Sequence, residues 1–497
     1  MIRLRPYQNE AIAAINEHWR EWQRELLVLP TGCGKTVVFN SIAHDRPGRT
    51  LILAHRDELI EQARDKYSTM FGELPGKIKA AENDIRRVTV GSIQTMMRRN
   101  YEGQFDTVII DEAHHAVSPS YQKLLVQLPD AKVLGVTATP DRGDKKSLAK
   151  YFDGIAYEYG LKTAVAEGYL CEIKAMTIPL EIDMTDVKVS VGDFQVDSIG
   201  ETLEPYLPQI ADAIRLHASA RKTVVFCPLI SIAQELAGMI PGAREVNGTS
   251  TDRKETLEWF DKAGPGSVLC NAMLLTEGWD CPSCDCVVVL RPTKIRSLYC
   301  QMVGRGTRLS PGKENLLILD FLWLTGKHNL CKPACLGSDS DEDIETVVKE
   351  STGEEIDLFG AITDAEDARR RALAEALARQ RRKKSQLVNP LELFSLINDI
   401  GLADYEPAFK WEEADATDRQ IRALQNFGID ADGITKGYAC AIMDKLITRA
   451  GNNLATVKQI RTLKKFGYEP ADWTFDQASR KLSALAAVGW KRWKLHD

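Results

Sequence analysis

Short apolar runs rich in Val, Ile and Leu recur along the first part of this chain, at 26–29, 51–54, 88–90, 107–110 and 132–136. Longer stretches with helical spacing lie between them, at 57–70 and 121–128. Strands that are apolar along their whole length need cover on both faces, and helices that alternate with them supply it. That condition selects a parallel sheet with crossover helices. The pattern returns at 223–226, 267–270, 286–290 and 316–319. The fold class is therefore α/β, with two sheet domains in tandem at 1–160 and 161–330. Residues 160–200 join them, and the alternation around 178–182 is expected to add a strand to the second sheet.

A chain of 497 residues is too long for one core, and about three domains are expected. Apolar residues make up 44% and charged residues 27%, as in ordinary globular proteins. No apolar stretch follows the basic residues of the N-terminus, which excludes a secretory signal there, and no window is apolar enough to span a bilayer. Eleven cysteines, most of them inside apolar runs such as 224–227 and 268–270, suit buried thiols in a reducing compartment. A cytoplasmic location and no membrane partner are the expectations.

The net charge of −6 argues at first against a nucleic-acid partner. Its distribution argues otherwise. Residues 337–367 hold twelve acidic side chains against one lysine, and 369–384 hold eight basic ones against Glu375. Residues 331–384 are accordingly expected to be an acidic, solvated linker followed by a basic helix. The remainder, 385–497, carries an internal repeat: A-T-D-R-Q-I-R-A-L-Q-N-F-G-I from Ala416 returns as A-T-V-K-Q-I-R-T-L-K-K-F-G-Y from Ala455. Each copy opens on a capping box, Thr417 with Gln420 and Thr456 with Gln459, and closes on a glycine suited to a helix C-terminus, Gly428 or Gly467. Two helical modules, 416–454 and 455–497, follow.

Residues 29–36 read L-P-T-G-C-G-K-T, between a buried strand and an apolar helix start. This is the context of a phosphate-binding loop. Thr31, Gly32, Cys33 and Gly34 present backbone N–H groups, Lys35 neutralises the β- and γ-phosphates, and the Thr36 hydroxyl ligates Mg²⁺. Leu29 stands where the general pattern has glycine. Asp111 ends the run at 108–110, so its carboxylate emerges at the strand edge where ligands of open α/β sheets bind. There Asp111 can hold the Mg²⁺ and Glu112 can take a proton from the attacking water. ATP and Mg²⁺ are the expected cofactors.

Gln301, Arg305 and Arg308 stand at i, i+4 and i+7, which would share one face of a helix. Gly304 and Gly306 are poor helix residues and imply close approach to something. Arginines supplied from a second domain would stabilise transition-state charge at the nucleotide.

With these residues in order, the chain resembles the superfamily 2 DExH-box helicases, and within them the bacterial and phage RadD-like members. The resemblance covers residues 1–330 and rests on further motifs: L-R-P-Y-Q at 4–8, L-A-H-R-D-E-L at 53–59, G-S-I-Q at 91–94, D-E-A-H at 111–114, T-A-T-P at 137–140, V-V-F-C-P at 224–228 and T-E-G-W-D at 276–280. It implies two RecA-like domains and ATP-dependent movement on single-stranded nucleic acid or forked DNA. It implies Arg5 and Gln8 at the adenine, Gly278 and Asp280 near the ribose or γ-phosphate, and Lys35, Glu112, Arg305 and Arg308 in catalysis. His114, Thr137, Thr139 and Gln301 would couple hydrolysis to movement. His55, Arg56, Ser92, Gln94 and Thr276 would touch the strand. An RNA-directed remodelling ATPase and a nucleotide-gated strand clamp without processive motion are the alternatives.

Other signals point less sharply. Cys281, Cys284, Cys331 and Cys335 have spacings that invite zinc, but Cys281 follows Asp280 and Cys286 starts a strand, so the paired-knuckle arrangement is missing. The tail repeats carry Arg422, Arg461, Lys464 and Lys465 with Tyr468, Trp473, Trp490 and Trp493. Basic residues with aromatics suit single-strand binding, whereas docking of a protein partner through the repeats is the rival role.

Overall fold

The computed structural model describes residues 3–55, 57–138, 148–185, 187–190, 193–272, 279, 281–324, 330–380, 393, 396–397, 402, 405–409, 411–487 and 490. The chain divides into two compact units, Met1–Ile362 and Thr363–Asp497.

The first unit holds two large sheets. The strands of the first are β1 (Arg24–Val28), β2 (Thr50–Ala54), β3 (Gly76–Lys79), β4 (Glu82–Asp84), β5 (Val88–Ser92), β6 (Thr107–Asp111), β7 (Lys132–Thr137) and β8 (Gly154–Glu158). They lie in the order β4-β3-β5-β2-β6-β7-β1-β8, and every pairing but β3–β4 is parallel. Each apolar run read from the sequence for this domain is an interior strand of this sheet. β2 is buried along its whole length, as a strand covered on both faces must be.

The second sheet takes β9 (Glu172–Asp183), then β12 (Thr223–Cys227), β13 (Arg244–Val246), β14 (Val268–Ala272), β15 (Cys286–Val289), β16 (Asn315–Leu324) and β17 (Ile356–Asp357); β10 (Val189–Ser190) and β11 (Asp193–Phe194) form a separate small hairpin. The order is β13-β14-β12-β15-β16-β9-β17, parallel except where β17 meets β9. β9 contains the alternating segment around 178–182 and pairs with β16. The α/β class with two parallel-dominated sheets is thus the observed one.

The acidic stretch at 337–367 is not a solvated linker, and that expectation is corrected. It forms a helix at Asp341–Ser351, the edge strand β17 and the start of a helix at Leu358–Gln380. Val347, Leu358 and Ile362 are buried, and the Ser351 and Thr177 hydroxyls meet at 2.8 Å. Acidic charge hid this: Asp341, Glu342 and Asp343 crowd the first turn of the helix, where carboxylates complement the helix dipole and cost no stability.

The second unit contains the repeat. Its helices are Asp418–Asn426, Lys436–Gly451, Val457–Lys464 and Phe475–Ala487. Both capping boxes are formed, and Gly428 and Gly467 take φ of 85° and 76° past their helices. Leu424, Ile442 and Leu446 of the first copy share one core with Ile460, Leu463 and Leu485 of the second. Each box glutamine also reaches the following helix: Gln420 Nε2 approaches Cys440 Sγ at 3.2 Å and Gln459 Nε2 donates to Ser479 Oγ at 2.8 Å. Among the described residues no helix is long and apolar enough to cross a membrane. All eleven cysteines are free of disulfides, and all but Cys440 are buried.

Candidate active site between two sheets

β1 runs into the loop at 29–36, which turns directly into the helix Lys35–Asp45. The turn needs left-handed backbone at two places, and glycine supplies it: Gly32 has φ of 93° and Gly34 has φ of 77°. A Cβ at Gly34 would stand 2.7 Å from Gln8 Nε2. Tyr7 and Gln8 brace this loop from outside, the Tyr7 hydroxyl donating to the Cys33 carbonyl at 2.8 Å and Gln8 Nε2 to the same oxygen at 3.1 Å. The other end of the Gln8 carboxamide accepts from Arg5 N at 2.9 Å. Arg5 lies over the Tyr169 ring at 5.3 Å, and Tyr7 stacks on Tyr159 with centroids 4.5 Å apart. Gln8 therefore has both amide ends engaged by the protein. Neither Gln8 nor Arg5 lines the cavity described next.

A cavity of about 590 Å³ opens over the loop. From the first sheet come Thr31, Gly32, Gly34, Lys35, Thr36, Asp111 and Glu112; from the second come Trp279, Arg305 and Arg308. Lys35 Nζ sits 3.3 Å from Glu112 Oε1, both side chains being nearly buried. Glu112 has φ of 53°, an uncommon conformation for a non-glycine residue. Its N–H donates to Asp111 Oδ1 at 3.0 Å. The two carboxyls are driven apart in acidity. Burial and the neighbouring Glu112 charge push Asp111 above the ordinary carboxylate value. Burial pushes Glu112 up as well, but Lys35 and His114 outweigh it and hold Glu112 below the ordinary carboxylate value. Lys35 keeps Glu112 ionised but weakens it as a base for as long as it faces it, and a buried carboxyl short of positive charge suits a metal cation. Thr36 and Asp111 would hold Mg²⁺ here, and a bound Mg²⁺ would neutralise phosphate charge.

The two sheets touch around Thr31 and Glu112. Gln301 Nε2 donates to Glu112 Oε2 at 3.4 Å, and the Thr307 hydroxyl lies 3.4 Å from the Thr31 carbonyl. The helix Arg296–Val303 ends at Gly304. Arg305 and Arg308 therefore do not share a helical face with Gln301, and that expectation is corrected. A Cβ at Gly304 would stand 2.6 Å from Thr31 Cβ. Close approach to the loop, not helix continuity, is what sets the glycine here. Beyond it the chain unwinds and brings both arginines to the cavity. Arg305 donates to the Trp279 carbonyl at 2.7 Å.

A chain of contacts leads away from Glu112. His114 Nδ1 lies 3.5 Å from Glu112 Oε2, the His114 and His115 rings are 4.2 Å apart, and His115 is 4.2 Å from His55. Gln94 Nε2 donates to the His55 carbonyl at 3.1 Å, and the Ser92 hydroxyl donates to Gln94 Oε1 at 2.6 Å. His55, Ser92 and Gln94 thus meet at the ends of β2 and β5. Thr137 ends β7, buried, its carbonyl accepting from Leu29 N at 3.0 Å. Arg56, Thr139, Thr276, Gly278 and Asp280 lie outside the described residues.

Several lining or bracing groups were not found from sequence. Tyr7 was adjacent to Gln8 in the L-R-P-Y-Q motif and could have been. Trp279 stood inside T-E-G-W-D. Gln62, Asp65 and Lys66 also line the cavity; their recurrence at i, i+3 and i+4 along the helix Asp57–Phe71 was the available signal.

The fold and site define a two-sheet nucleotide-binding core whose cavity is completed by arginines from the second sheet. The family model for the type III restriction enzyme res subunit matches residues 1–142, and that for the helicase conserved C-terminal domain matches residues 206–310. The chain belongs to the superfamily 2 helicases. It is 33% identical over 379 residues to the protein of Saccharomyces cerevisiae named as an ATP-dependent helicase, IRC3, covering 69% of this chain and 54% of that one. It is 31% identical over 378 residues to the Schizosaccharomyces pombe protein irc3, named as a mitochondrial ATP-dependent helicase, covering 70% and 62%. The chain thus spans between half and two thirds of the length of these relatives. Among solved structures, the fragment named as an HsdR subunit of a type I restriction enzyme from Vibrio vulnificus aligns with a TM-score of 0.50 at 25% identity, covering 64% of this chain and 63% of that one. The type ISP restriction-modification enzyme LlaBIII bound to DNA aligns in fold with a TM-score of 0.53 at 16% identity, over 99% of this chain and 40% of that one.

Proposed function

We propose that the chain is an ATP-hydrolysing helicase or translocase that acts on DNA, and that it falls in the RadD-like group of the superfamily. One observation carries the reading: Lys35, Asp111 and Glu112 of one sheet and Arg305 and Arg308 of the other line a single cavity. With ATP in it, Lys35 leaves Glu112 for the phosphates. Glu112 takes a proton from the attacking water as the water oxygen bonds to the γ-phosphorus. The bond from that phosphorus to the bridging oxygen breaks, and the arginines neutralise the charge that develops on the transferred group. Because the site is shared, it is complete only when residues 1–160 and 161–330 close on the nucleotide, and hydrolysis lets them part.

DNA as the track is supported by relatives. A Sulfurisphaera tokodaii protein named DNA 3'-5' translocase XPB2 is 35% identical over 147 residues, covering 29% of this chain and 33% of that one. His55, Ser92 and Gln94 form the strand-facing edge of the first domain, at the ends of β2 and β5, in this reading. The test measures ATP turnover with single-stranded DNA and with RNA at matched salt, and displacement of a third strand from a triplex. DNA-stimulated turnover with displacement is expected. Stronger stimulation by RNA would make the chain an RNA remodeller. Normal turnover with no displacement would leave a nucleotide-gated clamp and end the motor reading. Lys35→Ala is the control and is expected to abolish turnover.

A further inference from the structure

The two tail copies keep the same backbone plan but differ on one face of their second helices. In the first copy Ile434, Tyr438, Ala441 and Ile442 occupy that face. Ile442 is buried, and the other three pack on the shared core. Tyr405 closes over the face, its ring stacked on Tyr438 at 5.2 Å and 14°. Counting 39 residues on, the second copy has Trp473, Gln477, Arg480 and Lys481 in these places. Trp473 is half-buried, while Gln477 and Arg480 are exposed. A cavity of about 420 Å³ opens over them, lined also by Ala484. Where the first copy brings its own aromatic ring to the face, the second presents an indole and two cations. Lys481 Nζ stands 4.8 Å over the Tyr468 ring, and Trp473 lies beside Tyr468 at 6.0 Å. The Gln477 carboxamide oxygen accepts from Thr474 N at 2.8 Å.

We infer that this face of the second repeat is a binding site for single-stranded nucleic acid, with a base against Trp473 and backbone phosphate on Arg480 and Lys481. Charge complementarity selects this occupant over an apolar partner segment: the face gained two cations where the first copy has Ala441 and Ile442. An indole beside cations is what sequence-tolerant strand binding uses, since every base has a π-face and every linkage a phosphate. The tail site would bind the strand in addition to the core's own strand-facing edge. The inference deepens the helicase reading by giving its nucleic-acid substrate a second point of attachment.

The test uses the full chain and a fluorescent oligo-dT. Arg480→Ala/Lys481→Ala is expected to weaken binding about tenfold and to lower the slope of log K against log[salt] by about 1.4, the share of two phosphate contacts on a single strand. Trp473→Phe keeps a ring against the core and is expected to bind nearly as the wild type, while Trp473→Ala loses about tenfold. Strand-free ATP turnover and far-UV circular dichroism, unchanged in all three, show that folding is intact; if Trp473→Ala alone fails this check, the double variant decides. If the wild type binds and the double variant matches it in affinity and salt slope, the site is overturned while the core reading stands. A wild-type chain that binds no strand would overturn both. Loss of a protein partner with unaltered strand binding would assign the face to protein docking and overturn the inference.

Discussion

Glu112 is contacted from both sheets, by Lys35 on its own side and by Gln301 from the other. A carboxylate tied this way reports whether the second sheet is in place. Arg305 is the more separable group, because it lines the cavity and is held by the Trp279 carbonyl. Arg305→Ala is expected to bind a fluorescent ATP analogue nearly as the wild type and to lose about a thousandfold in turnover, the low end of what such arginines contribute. Wild-type single-turnover rates would remove it from the chemistry. Another titratable residue matters for stability instead. Glu25 in β1 is fully buried, with His18 Nδ1 at 3.4 Å. Burial, and then the Asp153 charge, push its carboxyl up from 4.5 to about 7. A folded-state pKa above the unfolded one means that the fold takes up a proton. Stability from this group is therefore full below about 4.5 and falls as pH rises through 7. Glu25→Gln is expected to gain roughly 1–3 kcal/mol over the wild type at pH 8 and little at pH 4.5, in urea melts at both values. At this scale the loop glycines, Lys35 and the Asp111–Glu112 pair were legible, since each sits next to a strand that the sequence marks. Thr307 was not, because its contact with Thr31 spans 276 residues and exists only where two sheets meet.

Elements were legible in proportion to how their burial showed in composition. The central strands carry apolar residues on both faces and stood out. β3, β4, β13 and β17 are of two to four residues and lie at or near sheet edges, too short for a pattern. The helix Asp341–Ser351 was missed for another reason: its solvent face is so acidic that the apolar stripe through Val347 was read as linker. Leu358, just past β17, tests that correction. Leu358→Ala is expected to cost about 2–4 kcal/mol, as removal of a buried leucine does, measured by chemical denaturation. A cost under about 0.5 kcal/mol, usual for exposed sites, would return the segment to linker status. The tail shows the opposite case. Its capping boxes were visible because the Thr–Gln spacing is local, and both formed. The second role of those glutamines, bonding the next helix, needed the fold.

For the whole molecule, the two units separate engine from tail, Met1–Ile362 and Thr363–Asp497. Removing residues 385–497 is expected to leave strand-free ATP turnover unchanged and to weaken strand affinity at least tenfold, by titration with labelled DNA. Equal affinity would assign the tail to partner docking. Within the engine the narrowest place is Gly304 against Thr31, where a Cβ would stand 2.6 Å from Thr31 Cβ. A methyl group there acts as a wedge between jaws: it touches neither ATP nor the strand, yet sets how far the cleft can shut. Gly304→Ala is therefore expected to convert the chain into an idling form, taking up ATP at ordinary affinity while turnover falls at least tenfold, in equilibrium binding and steady-state assays run side by side. A protein held ajar in this way would keep its grip on nucleotide and lose its stroke, so one missing side chain fixes the travel of the machine.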